Sequence, residues 1–190
     1  MSMKMANGES MTHNDPNSVL LEPGESTEII WKFDDKTQID LNAYWISTLI
    51  FAAEVIDKEE WRKLALSNYK VLKSLLGGEV FHCYKNKEGI KVFLEDYTYL
   101  SQLMINLYEV TGDINYLSDA KDTMQKTWDL FYDKDSKILQ KNPTKENDLF
   151  VSPIDISDHN IPNGNSIFLM NCKKLEAITG ESKWQNIVKE

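Results

Sequence analysis

Carboxylates and one histidine stand immediately before, or at the start of, two apolar segments of this sequence. Glu95 and Asp96 belong to one of these sites, and Asp158 and His159 belong to the other. Carboxyl groups, together with an imidazole that titrates near neutral pH, can act as general acid and general base on a sugar. We therefore take Asp96 and His159 as candidate catalytic residues, and Glu95 and Asp158 as candidate ligand-binding residues.

Aromatic and amide side chains near the same segments complete the candidate site. Trp45 and Tyr97 carry rings suited to stacking on the face of a sugar. The remaining polar candidates for ligand binding are Asn42, Asn163, Asn165 and Ser166. A purely local explanation stays open, because Asp96 also suits the first turn of a helix and residues 163–166 also suit a turn followed by an N-cap.

Helical periodicity predicts the elements that position these residues. A first helix opens near Asp40, and a second runs from an N-cap at Asp57 to a stop at Gly77 and Gly78. The apolar stripe of the first helix is Leu41, Trp45, Leu49, Ala52 and Ile56, and that of the second is Trp61, Leu64, Ala65, Leu72 and Leu75. Together they predict a helical hairpin.

The pattern then continues through four more helices. The third spans residues 94–110 and ends at Gly112, the fourth is capped by Asp113, the fifth spans 165–179, and the sixth opens at Glu181. Between the second and third helices, residues 80–84 and 90–93 predict a small β-hairpin, on which His82 is interpreted as a surface or packed residue. Further short strands are expected around 138–140 and 149–151. The aromatic side chains assigned to the core are Trp61, Tyr116, Trp128 and Trp184.

Three helix junctions resemble one another, since each has an apolar helix end, a sharp turn and an aromatic residue four positions later. The junctions lie at residues 55–61, 110–116 and 178–184. Helix pairs that repeat along a chain in this way are typical of an α/α solenoid or ring. We predict a mainly α fold of α/α-toroid type, about half of an (α/α)6 ring, with residues 1–35 as a flexible tail or linker and residues 36–190 as a partial toroid domain of about three helix pairs.

The candidate residues share a position in this arrangement, because each group opens the first helix of a pair. If these first helices form the inner ring, their amino ends point to a common mouth. Free backbone N–H groups and the positive end of each helix dipole favour polar or anionic ligands there. The sequence thus predicts a polar pocket at the mouth.

Composition excludes several other classes of function. The net charge of −9 and a pI near 4.9 argue against nucleic-acid binding, which needs concentrated Lys and Arg. No apolar run is long enough to cross a membrane, and no secretory signal is recognisable, so we expect no membrane partner and a cytoplasmic location. Two distant cysteines and three scattered histidines show no ligand spacing, so no metal or other cofactor is expected.

Several motifs resemble one known family. LEDYTYL at 94–100, followed by LYEVTGD at 107–113, is similar to a run in the YyaL-type, thioredoxin-domain-containing proteins related to spermatogenesis-associated protein twenty. DHNIPNGNS at 158–166 and DDK at 34–36, with Asn42, are similar to two further segments of that family. The chain departs from the family pattern at Leu41, Ala43 and Asn163, where the family has Trp, Gly and Ser.

This resemblance implies an (α/α)6 toroid, similar to sugar epimerases and six-hairpin glycosidases, that follows a thioredoxin-like domain. It implies a saccharide as a possible ligand. It also implies, as protein partners, the missing thioredoxin-like domain and second toroid half. If the chain is instead a free-standing gene product, we expect a second copy of the chain to cover the exposed edge of the half-ring. Two functions follow as hypotheses. The first is binding or processing of a carbohydrate at the mouth, and the second is a non-catalytic helical scaffold or interaction module.

Overall fold

A computed structural model describes residues 2–4, 10–12, 37–76, 80–85, 88–90, 92–144, 156–158 and 160–190. The chain divides into two compact units, Met1–Asp34 and Asp35–Glu190. In the first unit, β1 (Ser2–Lys4) pairs antiparallel with β2 (Ser10–Thr12), a short hairpin that the sequence did not predict. Flexibility of the segment 1–35 stays a prediction.

Six helices dominate the described part of the second unit and form three consecutive pairs. The first pair is α1 (Ile39–Val55) and α2 (Glu59–Leu76), the second is α3 (Leu94–Thr111) and α4 (Ile114–Phe131), and the third is α5 (Gly164–Thr179) and α6 (Ser182–Lys189). The mainly helical, paired architecture agrees with the prediction.

The first helices of the pairs lie side by side. α3 packs against both α1 and α5, and each of these first helices also packs against its own partner. As the middle helix, α3 is buried on most of its surface, including the polar side chains of Thr98 and Ser101. Ser101 Oγ donates to backbone carbonyl oxygens of its own helix, so its burial leaves no donor unpaired.

The second helices form the other layer and are amphipathic. α4 buries one stripe only, because its apolar residues recur at helical spacing while the opposite face is polar. Contacts between neighbouring pairs tie this layer together: Tyr69 of α2 meets Tyr116 of α4 with ring centroids 5.4 Å apart, and Lys121 of α4 pairs with Glu181 ahead of α6. The core therefore lies between the two layers.

Helix ends follow the sequence closely at two of the three junctions. Gly112 and Gly180 adopt left-handed conformations with φ of 70° and 68°, and each N–H donates to a carbonyl four residues earlier at 2.8 Å. Asp113 caps α4 by accepting from Asn115 N–H at 3.0 Å. At the first junction the predicted N-cap at Asp57 is wrong. Asp57 has φ of 52° and ends the first helix instead, since the next residue donates back to Ala53 O at 2.9 Å.

The predicted buried face of α1 is also wrong. Leu41 and Trp45 are 45% and 48% exposed, whereas the buried residues of α1 are Ile39, Ala43, Ile46, Ser47, Ile50 and Ala53. The helix is apolar around most of its circumference, so periodicity alone does not select the face that packs. Trp61, assigned to the core, is 39% exposed, whereas Trp184 is fully buried and Tyr116 and Trp128 are partly buried.

The described part of the second unit also contains two small sheets. β3 (Thr37–Gln38), β4 (Cys83–Lys85) and β5 (Glu88–Ile90) form an antiparallel sheet in the order β3-β4-β5, which adds one strand to the predicted hairpin. β6 (Tyr132–Asp133) pairs antiparallel with β7 (Ile138–Leu139). The strand expected at 149–151 lies outside the described residues.

Candidate functional site

A cavity of about 400 Å³ lies where the amino ends of α1, α3 and α5 meet. Gln38 and Asp40 come from the start of α1, Phe93 and Glu95 from the start of α3, and Asn163 from the start of α5. The other lining residues are His82, Lys141, Ser157, Ile161 and Pro162. The convergence of first-helix amino ends expected from the sequence is therefore present in the structure.

Hydrogen bonds to backbone carbonyl oxygens fix the segments that surround the cavity. Ile39 N–H donates to His82 O at 3.0 Å and joins the start of α1 to the segment before β4. Leu94 N–H donates to Lys141 O at 2.9 Å, which joins α3 to the segment after β7. Tyr99 OH donates to Pro162 O at 2.6 Å and fastens α3 to the approach to α5. The cavity wall is thus held by contacts between distant parts of the chain.

Beside the cavity, two carboxylates lie near one nitrogen of a histidine ring. His82 Nδ1 lies 3.0 Å from Asp96 Oδ1 and 4.0 Å from Asp40 Oδ1. The other ring nitrogen lies 3.3 Å from Gln38 Nε2. Asp96 is fully buried, and its Oδ2 accepts from Phe93 N–H at 2.8 Å. The carboxylate is thus anchored to the first turn of α3 and directed at the imidazole.

Burial controls the ionisation of this carboxylate. Removal from water raises the pKa of Asp96 from 3.8 to about 6, although the Phe93 N–H and the His82 side chain oppose the rise and the charge of Asp40 adds to it. The group is therefore a carboxylic acid that loses its proton only slightly below neutral pH.

The same three side chains are a possible cation site. Asp40, His82 and Asp96 each offer one ligand atom, and these atoms lie within 4.8 Å of one another. Oxygen and imidazole nitrogen donors suit several divalent metals. The sequence did not predict this group because its members come from three separate elements and not from one spaced motif.

Of the ligand-binding candidates, the structure places Glu95 and Asn163 on the cavity. Asn163 also caps α5, since its Oδ1 accepts from the N–H groups of Asn165 and Ser166 at 2.8 and 3.2 Å. Asp158 supports that cap by accepting from the Asn163 backbone and amide at 2.8 and 2.9 Å. Asn163 therefore both caps α5 and lines the cavity.

Other candidates serve different parts of the fold. Asn42 donates to Gln38 O at 2.7 Å, and Trp45 is exposed. Tyr97 packs in the core with its ring centroid 5.8 Å from that of Phe131. Asn165 exchanges two hydrogen bonds with the backbone of Leu139 in β7, at 3.0 and 3.1 Å.

The last three candidates are Ser166, His159 and Asp96. Ser166 lies, with Asn165, on a second cavity of about 340 Å³ beside Trp128 and Tyr132, and not on the cavity at the mouth. The catalytic candidate His159 lies outside the described residues. Asp96, the other catalytic candidate, is not a lining residue and reaches the cavity only through His82.

Sequence reasoning missed five polar lining residues: Gln38, Asp40, His82, Lys141 and Ser157. His82 was interpreted as a surface or packed residue because a strand pattern surrounds it. Its pairing with Asp96 depends on how the sheet β3-β4-β5 lies against α3, which no local spacing reveals.

Among the helices that the structure describes, none is both long and apolar enough to span a membrane.

Sequence comparisons give little support for any family. No family model matches the chain. Copper-resistant cuproprotein CopI of Pseudomonas aeruginosa is 52% identical over 33 residues, which is 17% of this chain and 18% of that protein. So short a match assigns no family.

Comparison with solved structures is more informative about the fold. The α-1,6-mannanase GH76A of a Salegentibacter species matches 80% of this chain with a TM-score of 0.63 and 14% identity. A glycoside hydrolase family 76 mannosidase of Bacteroides thetaiotaomicron matches 81% with a TM-score of 0.59 and 19% identity. This chain has an α/α-toroid fold. It spans less than half of those structures, 44% and 42% of their lengths, in keeping with about half of a ring.

Proposed function

We propose that the cavity at the amino ends of α1, α3 and α5 binds a saccharide. The observation that carries this proposal is the meeting of three helix starts at one cavity of about 400 Å³. Side chains that both donate and accept hydrogen bonds, such as Gln38 and Asn163, suit sugar hydroxyls. Phe93 supplies an aromatic surface on the same cavity, against which the apolar face of a sugar ring packs.

The structural neighbours indicate which saccharide to test first. One form of the Salegentibacter mannanase, an inactive variant with two consecutive aspartates replaced by asparagine, is a complex with α-1,6-mannotriose. In this chain two consecutive acidic residues, Glu95 and Asp96, lie in the first turn of α3. Glu95 lines the cavity, and Asp96 lies behind it in contact with His82. We therefore propose α-1,6-linked mannooligosaccharides as ligands. We propose hydrolysis or epimerisation only for a protein in which this half-ring is completed by a second toroid half.

Isothermal titration calorimetry with α-1,6-mannotriose tests binding. We expect Glu95→Gln to weaken it several-fold, because an amide is a poorer acceptor for sugar hydroxyls than a carboxylate. Glu60→Gln on the exposed face of α2 is the matched control and should bind like the unaltered chain. Absence of heat with mannotriose and with a panel of other oligosaccharides would reject the proposal.

Membership of the YyaL-type family is a separate proposal, supported by the motifs at 94–113 and 158–166. It places a thioredoxin-like domain before the toroid in the same protein, in the cytoplasm. Sequencing the surrounding gene tests it. An upstream, in-frame thioredoxin domain with a CxxC motif supports the proposal, and a different upstream domain rejects it.

A second candidate function is that of a helical interaction module. The helices at the two ends of the first-helix layer, α1 and α5, expose large apolar side chains, including Phe51, Val55, Leu169 and Met170. Exposed apolar patches often mark contact surfaces between proteins. A scaffold role predicts association through these faces and no saccharide affinity. Because the half-ring exposes these faces under either function, calorimetry with oligosaccharides distinguishes the two candidates.

A further inference from the structure

The imidazole of His82 is held in one orientation on several sides. Its Nδ1 faces the buried Asp96 carboxylate at 3.0 and 3.3 Å. Its ring lies edge-on to Phe93, with centroids 4.8 Å apart at an interplanar angle of 64°. Its second nitrogen faces the Gln38 amide at 3.3 Å. Three different neighbours thus fix the orientation of the ring, as a ligand-contacting group requires.

These contacts determine where the proton of the neutral ring lies. An ionised carboxylate only accepts hydrogen bonds, so Nδ1 must carry the proton that it donates to Asp96. Nε2 then presents a lone pair, which fits the Gln38 Nε2–H that faces it. His82 and Gln38 both line the cavity. A sugar hydroxyl is also a neutral donor and can replace the amide at that lone pair.

We propose that His82 Nε2 is a ligand-contacting acceptor of the cavity, receiving a hydrogen bond from a sugar hydroxyl, and that Asp96 is its positioning residue. This inference rests on the proposed saccharide function. It assigns to Asp96 an indirect role, consistent with complete burial behind the ring. It also explains why an acidic residue lies in the first turn of α3 with one oxygen held by Phe93 N–H and the other left for the histidine.

The charged groups around the His82 imidazole allow a competing role for it, as a ligand of a divalent cation. Asp40 faces Nδ1 from α1, while Glu95 and Lys141 line the same cavity from α3 and from the segment after β7. A divalent cation held by Asp40, His82 and Asp96 needs the Nδ1 lone pair. It therefore requires the opposite tautomer, with Nε2 protonated and donating to a rotated Gln38 amide. The position of one proton separates the two assignments.

Asp96→Asn provides a sharp test because Phe93 N–H already occupies one oxygen position. The asparagine carbonyl is expected to keep that bond, which leaves the amide NH₂ facing Nδ1. Nδ1 must then accept, and the proton moves to Nε2. The variant thus converts His82 Nε2 from an acceptor into a donor with little change of shape. Asp122→Asn, an exposed position on α4, is the control.

Long-range ¹H–¹⁵N correlation of the histidine side chains, recorded on the full chain without sugar, reads the tautomer directly. We expect protonated Nδ1 in the unaltered chain and in Asp122→Asn, and protonated Nε2 in Asp96→Asn with unchanged circular dichroism. Calorimetry with α-1,6-mannotriose should then show at least tenfold weaker binding by Asp96→Asn.

Each other outcome has a distinct meaning. Protonated Nε2 in the unaltered chain overturns the inference, and Mn²⁺-dependent broadening of the His82 signals would then assign the group to a cation. Equal mannotriose affinity despite a reversed tautomer overturns the inference and leaves the proposed saccharide function intact. If the unaltered chain binds no oligosaccharide, the proposed function fails and the inference fails with it.

Discussion

At the scale of single residues, the site is organised by one buried carboxylate. Asp96 occupies a first-turn position, where acidic residues favour the helix dipole, and this local role was foreseen from the sequence. Its partner was not foreseen, because His82 lies on a segment whose alternation resembles an ordinary strand. Sequence spacing reports neighbours along one element, whereas this pair joins two elements that only the tertiary fold brings to 3.0 Å.

The raised pKa of Asp96 predicts a measurable pH dependence. Because the pKa in the folded chain, about 6, exceeds the ordinary 3.8, the stabilising contribution is complete below pH 3.8 and is lost as pH rises through 6. The difference between these two pKa values corresponds to about 3 kcal/mol of unfolding free energy, since one pKa unit is 1.36 kcal/mol. We expect the unfolding free energy of the unaltered chain, relative to Asp96→Asn, to fall by this order between pH 4 and pH 7.

Urea denaturation across this pH range, followed by circular dichroism, measures the effect. The difference between the unaltered chain and Asp122→Asn should stay nearly constant, because that side chain is exposed. A difference for Asp96→Asn that does not change with pH would contradict the account of the buried acid.

At the scale of elements, the helices were predicted well where capping residues and glycines mark their ends. α4 begins after Asp113 and α3 ends at Gly112, as their chemistry requires. The packing face of α1 could not be predicted, since Leu41 and Ile39 are equally apolar and only the neighbouring helices decide which is buried. Local sequence determines where a helix begins and ends, whereas tertiary packing determines which of its faces is buried.

The close approach of α5 to α3 gives a second prediction. A Cβ placed on Gly164 would lie 2.6 Å from Leu94 Cγ and 2.8 Å from Leu94 Cδ2. Leu94 is buried and cannot retreat freely. We expect Gly164→Ala to lower the unfolding free energy by about 1–3 kcal/mol through overpacking.

A double-mutant cycle identifies the cause. Leu94→Ala creates a space that accepts the new methyl group, so Gly164→Ala should cost at least about 1 kcal/mol less in that background. Additive effects of the two substitutions would show that the clash with Leu94 is not the source of the loss.

At the scale of the whole molecule, a half-ring of helix pairs was inferred from the three similar junctions, and the described helices have this arrangement. The apolar sides of the end helices follow from it, because in a closed ring each first helix has a neighbour on both sides. Phe51 and Val55 on α1 are 69% and 65% exposed. Such side chains favour association in water.

Substitution of both residues by lysine tests this consequence. We expect sedimentation velocity to show concentration-dependent association of the unaltered chain and a shift towards monomer in Phe51→Lys/Val55→Lys. The unfolding free energy should change by less than about 0.5 kcal/mol for each exposed position. Monomeric behaviour of the unaltered chain at high concentration would contradict an apolar edge open to solvent.

Chemical-shift mapping with α-1,6-mannotriose tests whether the three helix starts form one saccharide site. We predict that backbone amide shifts change at Gln38, Asp40, His82, Glu95 and Asn163, the residues on the mouth cavity. Trp45 on the exposed side of α1 should remain unaffected. Shifts confined to the second cavity beside Trp128 and Tyr132, or no shifts at all, would contradict the claim.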